Sequence, residues 1–343
     1  ESSRLTRRQL LSTALGSGAA LAAPYVLPGR VLGMDGAVAP SERIVLGAIG
    51  LGGRGTGVLR SFMSNADVQF VAICDVRRQR REAIKKMADT QYGNSDCGMY
   101  RDMHEILARP DIDAMLIATG DRWHTMASIT AARAGKDVYC EKPCSMTISE
   151  SRALADAYRK YGCIYQAGTQ RRSIGNFQFA IHLARSGKLG KLHTLHASIY
   201  KLRVSHDWLP GEPEPPKEVC DWDRWLGPAP WREYHDGLHR FAWRGWWDFG
   251  TGALGDMGCH IMETPFSVLD LGYPTEAEAS CTTAWSGPFR LADYSAGCPA
   301  SSIVRLKFNT PGHGEISLNW YDGGILPDLP DELKDGETIG DSG

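Results

Sequence analysis

The sequence has no paired CxxC spacing. Its nine cysteines stand at positions 74, 97, 140, 144, 163, 220, 259, 281 and 298, so neither a zinc site nor a disulfide framework is indicated. It has no excess of charge of either sign: a net charge of -2 leaves no electrostatic footprint for nucleic acid or for an acidic membrane surface. Its one mildly apolar stretch near the start is too short and too glycine-rich for a comfortable membrane span. What remains is the composition of an ordinary soluble protein, with 343 residues giving room for two domains. Cys74 and Cys140 fall inside apolar strands, where a thiol behaves as a small buried hydrophobe.

Arg7 and Arg8 precede an Ala- and Gly-rich run that ends at Ala23 and Pro24. This layout resembles a twin-arginine export signal, which implies a protein exported folded to a bacterial periplasm, with no stable membrane span once the signal is removed. Residues 1–40 are therefore expected to be signal and linker. The chain begins with Glu1 rather than Met, so a few residues are expected to be missing.

Chemistry enters at residue 44. Ile44-Val-Leu-Gly-Ala-Ile49 is a buried-type strand that runs into Gly50-Leu-Gly52-Gly53-Arg54-Gly55 and an amphipathic segment over 56–63. This is GxGxxG with a strand before it and a helix after it. Gly50 allows the tight turn, Gly52 lets backbone approach a pyrophosphate, and Gly55 lets the helix pack on the strand. The helix amino terminus supplies N–H donors for the phosphates. A second strand over 68–75 ends in Asp75, twenty residues beyond Gly55, where a carboxylate accepts the ribose hydroxyls of NAD and repels a 2′-phosphate. Arg77 and Arg78 follow at once and keep NADP(H) open, or they are solvated residues of a basic helix over 77–86.

Strand and helix continue to alternate: a helix over 103–108, a strand over 111–119, a helix over 125–134. Such alternation implies a right-handed, parallel, doubly wound sheet. Thr119, Trp123 and His124 follow a strand's carboxyl end and should lie beside the cofactor, although His124 could equally cap the following helix. The stretch Asp137-Val-Tyr-Cys-Glu141-Lys142-Pro143 is a strand that Pro143 must terminate, which presents Lys142 at its tip, on the sheet edge where ligands bind.

Taken together, Gly50-x-Gly52-x-x-Gly55, Asp75, Ala118-Thr119-x-Asp121-x-Trp123-His124, Ala134-Gly135-Lys136-x-Val138 and Glu141-Lys142-Pro143 resemble the Gfo/Idh/MocA family of sugar and inositol oxidoreductases, its exported bacterial members above all. Gly120 stands where the family usually has proline. The likeness continues through Gly168-Thr-Gln170-Arg171-Arg172, Trp225-Leu-Gly-Pro and Trp246 to His260, covering nearly all of the chain after the signal. It implies a Rossmann domain over 41–165 and a substrate domain over 166–343 with a large open, mostly antiparallel sheet, often used for homo-oligomer contacts as dimer or tetramer. The alternating runs over 276–284, 301–309 and 314–321 fit that sheet. Family members usually continue beyond Gly343 with more strands, so a truncated sequence is expected.

The resemblance places Lys142, Asp256 and His260 around the substrate as the catalytic group, works without metal, and sets Glu141, Lys142 and Gln170 beside the cofactor. Arg171, Tyr234 and Trp247 are further substrate candidates. Asp256 and His260 are four apart at the start of a helix expected to run towards Leu269, so they share a face. The chemistry suits these residue types. His260, with an ordinary pKa near ~6.5, can take a hydroxyl proton while the carbon-bound hydrogen leaves as hydride to a tightly held NAD(H). Lys142 can stabilise the oxygen's developing charge, and Asp256 can orient a sugar hydroxyl or complement the helix dipole.

Seven of the ten tryptophans (Trp208, Trp222, Trp225, Trp231, Trp243, Trp246 and Trp247) crowd into about forty residues. Indole faces pack on pyranose faces, so some of them are expected to reach a carbohydrate substrate while most serve the core. The leading expectation is a dehydrogenase acting on a secondary hydroxyl of a sugar, glycoside or cyclitol. The alternative is a redox-neutral glycosidase or lyase that oxidises the ring transiently and needs an extra base, with Tyr234, His235 or His239 as candidates. A third is a non-catalytic carbohydrate-binding protein, against which intact Lys142 and His260 argue.

Overall fold

A computed structural model describes residues 38–199, 209–240, 242–283, 285–293, 295–334, 336 and 337, with only the backbone at 239 and 240. The twin-arginine segment, Trp208 and the side chain of His239 lie outside the described residues.

The first half is a parallel sheet wrapped by helices. Its elements are β1 (Ile44–Ile49), α1 (Gly53–Met63), β2 (Val68–Cys74), α2 (Arg78–Tyr92), β3 (Gly98–Tyr100), α3 (Met103–Leu107), β4 (Ala114–Ile117), α4 (Asp121–Arg133), β5 (Asp137–Cys140), α5 (Ile148–Tyr161) and β6 (Tyr165–Ala167). All six strands pair in parallel in the order β3-β2-β1-β4-β5-β6, so strand order reverses between β1 and β4, and a crevice opens at their carboxyl ends. Val58, Leu59, Met63 and Ile84 pack one face of the sheet, and Ala127, Ala131, Leu154 and Tyr158 the other.

The expected doubly wound sheet is present, with shifted bounds. The helix after the glycine loop begins at Gly53 rather than 56, because glycines tolerate a first turn that approaches the strand closely. The helix expected over 125–134 begins at Asp121. β3, α5 and β6 were not anticipated, although α5 carries legible signals: Thr147 and Glu150 form a reciprocal capping box, and Gly162 closes the helix in the left-handed region.

The second half comprises α6 (Gly175–Arg185), β7 (Thr194–Ile199), α7 (Trp222–Leu226), α8 (Asp236–Arg240), α9 (Gly252–Ile261), α10 (Glu263–Leu269), β8 (Glu276–Cys281), a small hairpin of β9 (Trp285–Gly287) and β10 (Arg290–Leu291), β11 (Ser302–Thr310) and β12 (Gly314–Asp322). Among the described residues the larger sheet has four strands in the order β7-β12-β11-β8. Its two β11 pairings are antiparallel and β7–β12 is parallel, so the sheet is mostly antiparallel as expected. Phe308, Ile316, Leu318 and Trp320 on one face meet Met257, Ile261 and Leu269 from α9 and α10. The single helix expected from 256 to 269 is broken at Met262. Pro265 has no N–H to offer the Ile261 carbonyl four residues back. Among the described residues no helix is long and apolar enough to cross a membrane.

Candidate active site

A cavity of about 670 Å³ lies over the strand-order reversal, lined by the glycine loop, Asp75, the loop after β4, Glu141, Lys142 and Asp256. Its volume is within the ~300–1,000 Å³ of small-molecule and cofactor sites.

Two glycines of the loop are required by contact. A Cβ on Gly50, which holds φ +72°, would stand 2.3 Å from Thr119 Cγ2, and one on Gly55 would stand 2.7 Å from Ala118 Cβ. At Gly52 and Gly53 the opposite holds: a Cβ would meet nothing within 4 Å, so the backbone faces open space there. No side chain caps α1, whose first turn is left to an anion in that space. Asp75 ends β2 against the same cavity, 9% exposed, with one carboxylate oxygen accepting the Arg77 N–H at 2.9 Å. Burial raises its pKa above the ordinary carboxylate range. An open glycine cradle, an uncapped helix and a carboxylate at the ribose position fit a nicotinamide dinucleotide. Of the two arginines weighed for a 2′-phosphate, Arg77 lines the cavity and Arg78 instead pairs with Glu82 on the surface. Arg80 takes its place beside Asp75.

Thr119 and Trp123 also line the cavity, and Arg54 reaches Glu141 across it at 3.0 Å. His124 lines the cavity as well, and is also a buried strut. Its Nδ1 lies 2.6 Å from the Pro143 carbonyl and its Nε2 3.2 Å from that of Thr119, and burial pushes its pKa down to about 4. A neutral ring donates to the closer Pro143 and ties the loop after β4 to the end of β5.

Lys142 projects from the end of β5 as expected, but what it meets is Asp256. Its ammonium donates to the Asp256 carbonyl at 2.6 Å and to Oδ1 at 2.7 Å, and Asp256 Oδ2 is 3.6 Å from Arg244 Nε. An ammonium carries three donors. The third has no hydrogen-bond partner among the described residues, and the side chain lines the cavity at 11% exposed.

His260 departs from expectation. It shares the face of α9 with Asp256, yet it is not part of the cavity lining, and its Nε2 stands 3.3 Å from the Gln170 amide nitrogen. Burial, Lys142 and Arg171 push its pKa down to about 4. The ring is neutral at pH 7 but a weaker base than an ordinary imidazole. Gln170 likewise contacts His260 rather than the dinucleotide cavity. Arg171 lies over the Phe177 ring, and Trp247 is 49% exposed with its backbone N–H on Ala296. The Tyr234 hydroxyl donates to Asp236 and its ring packs edge-on to Trp222, so none of these three lines the cavity. His235 sits 3.3 Å from Glu212, also away from it.

The tryptophan-rich segment is mostly core. Trp222, Trp225, Trp243 and Trp246 are buried in one cluster with Phe249, while Trp231 and Trp247 are exposed. Trp225 and Trp243 reach the cavity wall. This cluster forms a clasp that sequence reasoning missed. Arg78 N–H donates to the Val219 carbonyl and Asp221 N–H to that of Val76, which joins the clasp to the chain just past Asp75. Arg122 lies 3.8 Å from the Trp225 ring centroid and donates to the carbonyls of Trp225 and Leu226, and the Trp123 indole donates to Arg224. Burial lowers the Arg122 pKa to about 9. Nothing local marks Arg122, the second residue of α4, because its carbonyl acceptors are a hundred residues away.

Comparison with known proteins agrees with this geometry. A model of an oxidoreductase family's NAD-binding Rossmann fold matches residues 44–169, and one of the same family's C-terminal alpha/beta domain matches 202–279, together more than half of the chain. The myo-inositol 2-dehydrogenase of Thermotoga maritima is 31% identical over 150 residues, covering 44% of this chain and 43% of that protein. A glycosyl hydrolase family 109 protein of Saccharopolyspora erythraea is 32% identical over 176 residues, 46% of this chain and 38% of that protein. The chain thus spans less than half the length of these relatives. Among solved structures, the myo-inositol 2-dehydrogenase of Lactobacillus plantarum superposes with a TM-score of 0.57 at 19% identity, over 82% of this chain and 70% of that one. The WlbA dehydrogenase of Bordetella pertussis, in complex with NADH and UDP-GlcNAcA, does so at 0.56 and 18%, over 83% and 72%. At this identity the structural likeness speaks to the fold.

Proposed function

The chain belongs to the Gfo/Idh/MocA oxidoreductase family, and on that premise we propose that it is a nicotinamide-dependent dehydrogenase of a secondary hydroxyl on a sugar, glycoside or cyclitol. The observation that carries this reading is the unpartnered third donor of Lys142, held against the cavity by Asp256. A bound nicotinamide would supply the hydride acceptor, and the cradle of Gly50, Gly52 and Gly53 with Asp75 would hold its dinucleotide. Lys142 binds the substrate oxygen and stabilises the charge that develops there as its proton leaves. Asp256 and Arg244 fix the ammonium in place. His260, outside the cavity lining and with its pKa pushed down to about 4, is a weak base at neutral pH, and in this reading it relays the departing hydroxyl proton towards solvent rather than holding it.

Asp75 favours NAD(H) over NADP(H) in this reading, and the clasp favours a dinucleotide that stays bound between turnovers. Export by the twin-arginine route, inferred from Arg7 and Arg8, would make such retention necessary where free nicotinamide is scarce. Assembly as a homo-oligomer through the C-terminal sheet belongs to the same reading: among the described residues β8 is an edge strand, exposed at all six residues.

A redox-neutral glycosidase is the second reading, favoured by the glycosyl hydrolase family 109 relative. It needs an additional base, and Tyr234 and His235 stand away from the cavity, with burial and Asp236 pushing the Tyr234 pKa up to about 12.

The test is to purify the protein without added nucleotide, denature it, and identify the nucleotide released. The holoprotein is then given cyclitols and glycosides while reduced nicotinamide and free aglycone are followed. Near-stoichiometric NAD that becomes and stays reduced supports the dehydrogenase. Aglycone release without lasting reduction supports the glycosidase, and absence of both, with bound sugar, would leave a binding protein.

A further inference from the structure

The cavity wall holds a further carboxylate, Asp121, to which no role has been given. Asp121 is the first residue of α4, only 4% exposed, and lines the same cavity as Lys142, Asp256 and Arg244. Its Oδ2 accepts the Thr251 hydroxyl at 3.3 Å. Thr251 is the residue that opens α9, the helix carrying both Asp256 and His260. The hydroxyl is turned over the first turn of that helix: a Cβ on Gly255 would stand 2.1 Å from Thr251 Oγ1. One bond therefore ties the start of α4 in the dinucleotide domain to the start of the helix that holds Asp256.

We propose that Asp121 is a further positioning residue for the oxidation: through Thr251 it fixes the start of α9, and through the field it shares with Asp256 it sets how Lys142 presents its third donor. The inference rests on the dehydrogenase reading and deepens it. The groups facing Asp121 are Asp256 from α9, Lys142 from the end of β5, Arg244 from the turn before α9, and its own neighbour Arg122, with Cys259 on the next turn of α9. Asp256 opposes its ionisation and the two nearer cations favour it, while burial and Asp256 together push its pKa up to about 7. With both carboxylates ionised, the two aspartates offset two of the three facing cations, Lys142, Arg244 and Arg122; with Asp121 protonated, only one is offset and the pull of Asp121 on Lys142 is removed. A carboxylate that merely complemented the dipole of α4 would do neither.

The experiment compares holoprotein of wild type, Asp121→Asn, Thr251→Ala and Thr251→Ser. Asp121→Asn keeps an oxygen for Thr251 and removes the charge. It is expected to lower kcat roughly 10- to 100-fold, the scale of a misplaced reacting group, with KM within about threefold, and to erase an ionisation near pH 7 from the pH profile of kcat/KM. Thr251→Ala should lower kcat in the same way with bound nucleotide unchanged, and Thr251→Ser should restore it. If Asp121→Asn shifts only the thermal midpoint and leaves rate and profile alone, the proposal is overturned. Carboxyl-labelled aspartate NMR on the same holoproteins provides a readout independent of turnover. A resonance titrating near pH 7 in wild type, missing from Asp121→Asn and shifted in Thr251→Ala, is the expected result, and no such resonance overturns the proposal. A wild type that titrates this way yet oxidises no polyol or glycoside would count against the dehydrogenase reading and leave the charge cluster standing.

Discussion

Lys142 shows how little of a residue's role its neighbours in sequence disclose. The tip of β5 follows from Pro143, but the partner that orients the ammonium stands 114 positions later. Replacing Lys142 by Met should abolish turnover, by on the order of 10²-fold or more if it stabilises the developing charge as an oxyanion-hole donor does, while denaturation still releases nucleotide. Assays of rate and released nucleotide on one preparation would separate the two. His124 makes a stability prediction with a definite sign. Its folded pKa of about 4 lies below the ~6.5 of an unfolded imidazole, so its contribution is complete above about pH 6.5 and is lost as pH falls through about 4. The difference corresponds to roughly 3 kcal/mol, which urea unfolding at pH 7 and pH 4.5 should reveal, with His124→Gln reducing the dependence and leaving the part that His260 contributes. Asp121 acts oppositely: its pKa is raised, so its contribution is complete below about pH 4 and declines as pH rises through about 7.

At the scale of elements, the glycine loop was legible because its GxGxxG spacing sits between a strand and a helix, although the contacts that require Gly50 and Gly55 come from Thr119 and Ala118 on the neighbouring strand's loop. The clasp from Val219 to Leu226 was not, because its bonds run to Val76, Arg78, Arg122 and Trp123, in a different domain. Arg122→Ala removes those donors and the ring contact at Trp225, and leaves buried carbonyls unmet. It is expected to cost about 2–4 kcal/mol and to speed dinucleotide release on dilution. Release by Arg122→Ala no faster than wild type, at equal occupancy, would show that the clasp does not retain cofactor. Gly227 closes α7 at φ +59°, and a Cβ there would lie 2.2 Å from Trp123 Cε2. Gly227→Ala should therefore lower the thermal midpoint and loosen the same clasp.

The whole molecule is organised about one cavity that both domains line. A ligand seated there is expected to stabilise them together. Adding NAD to nucleotide-free protein at about a hundred times its dissociation constant should stabilise it by roughly 2.7 kcal/mol, seen as one thermal transition moving upward. A shift confined to one of two transitions would mean that the cavity does not couple the halves.

Sequence by itself determined the parallel sheet, the glycine loop, the carboxylate at the end of β2 and the delivery of Lys142. Each depends on hydrophobic periodicity or on a backbone demand met within a few residues. Only the tertiary structure decided that Asp256 grips Lys142, that His260 turns to Gln170 outside the cavity lining, that most of the tryptophans are core, and that Asp121 reaches the start of α9. Those are meetings of side chains from distant segments, fixed by how the two domains pack, and spacing along the chain carries no record of them.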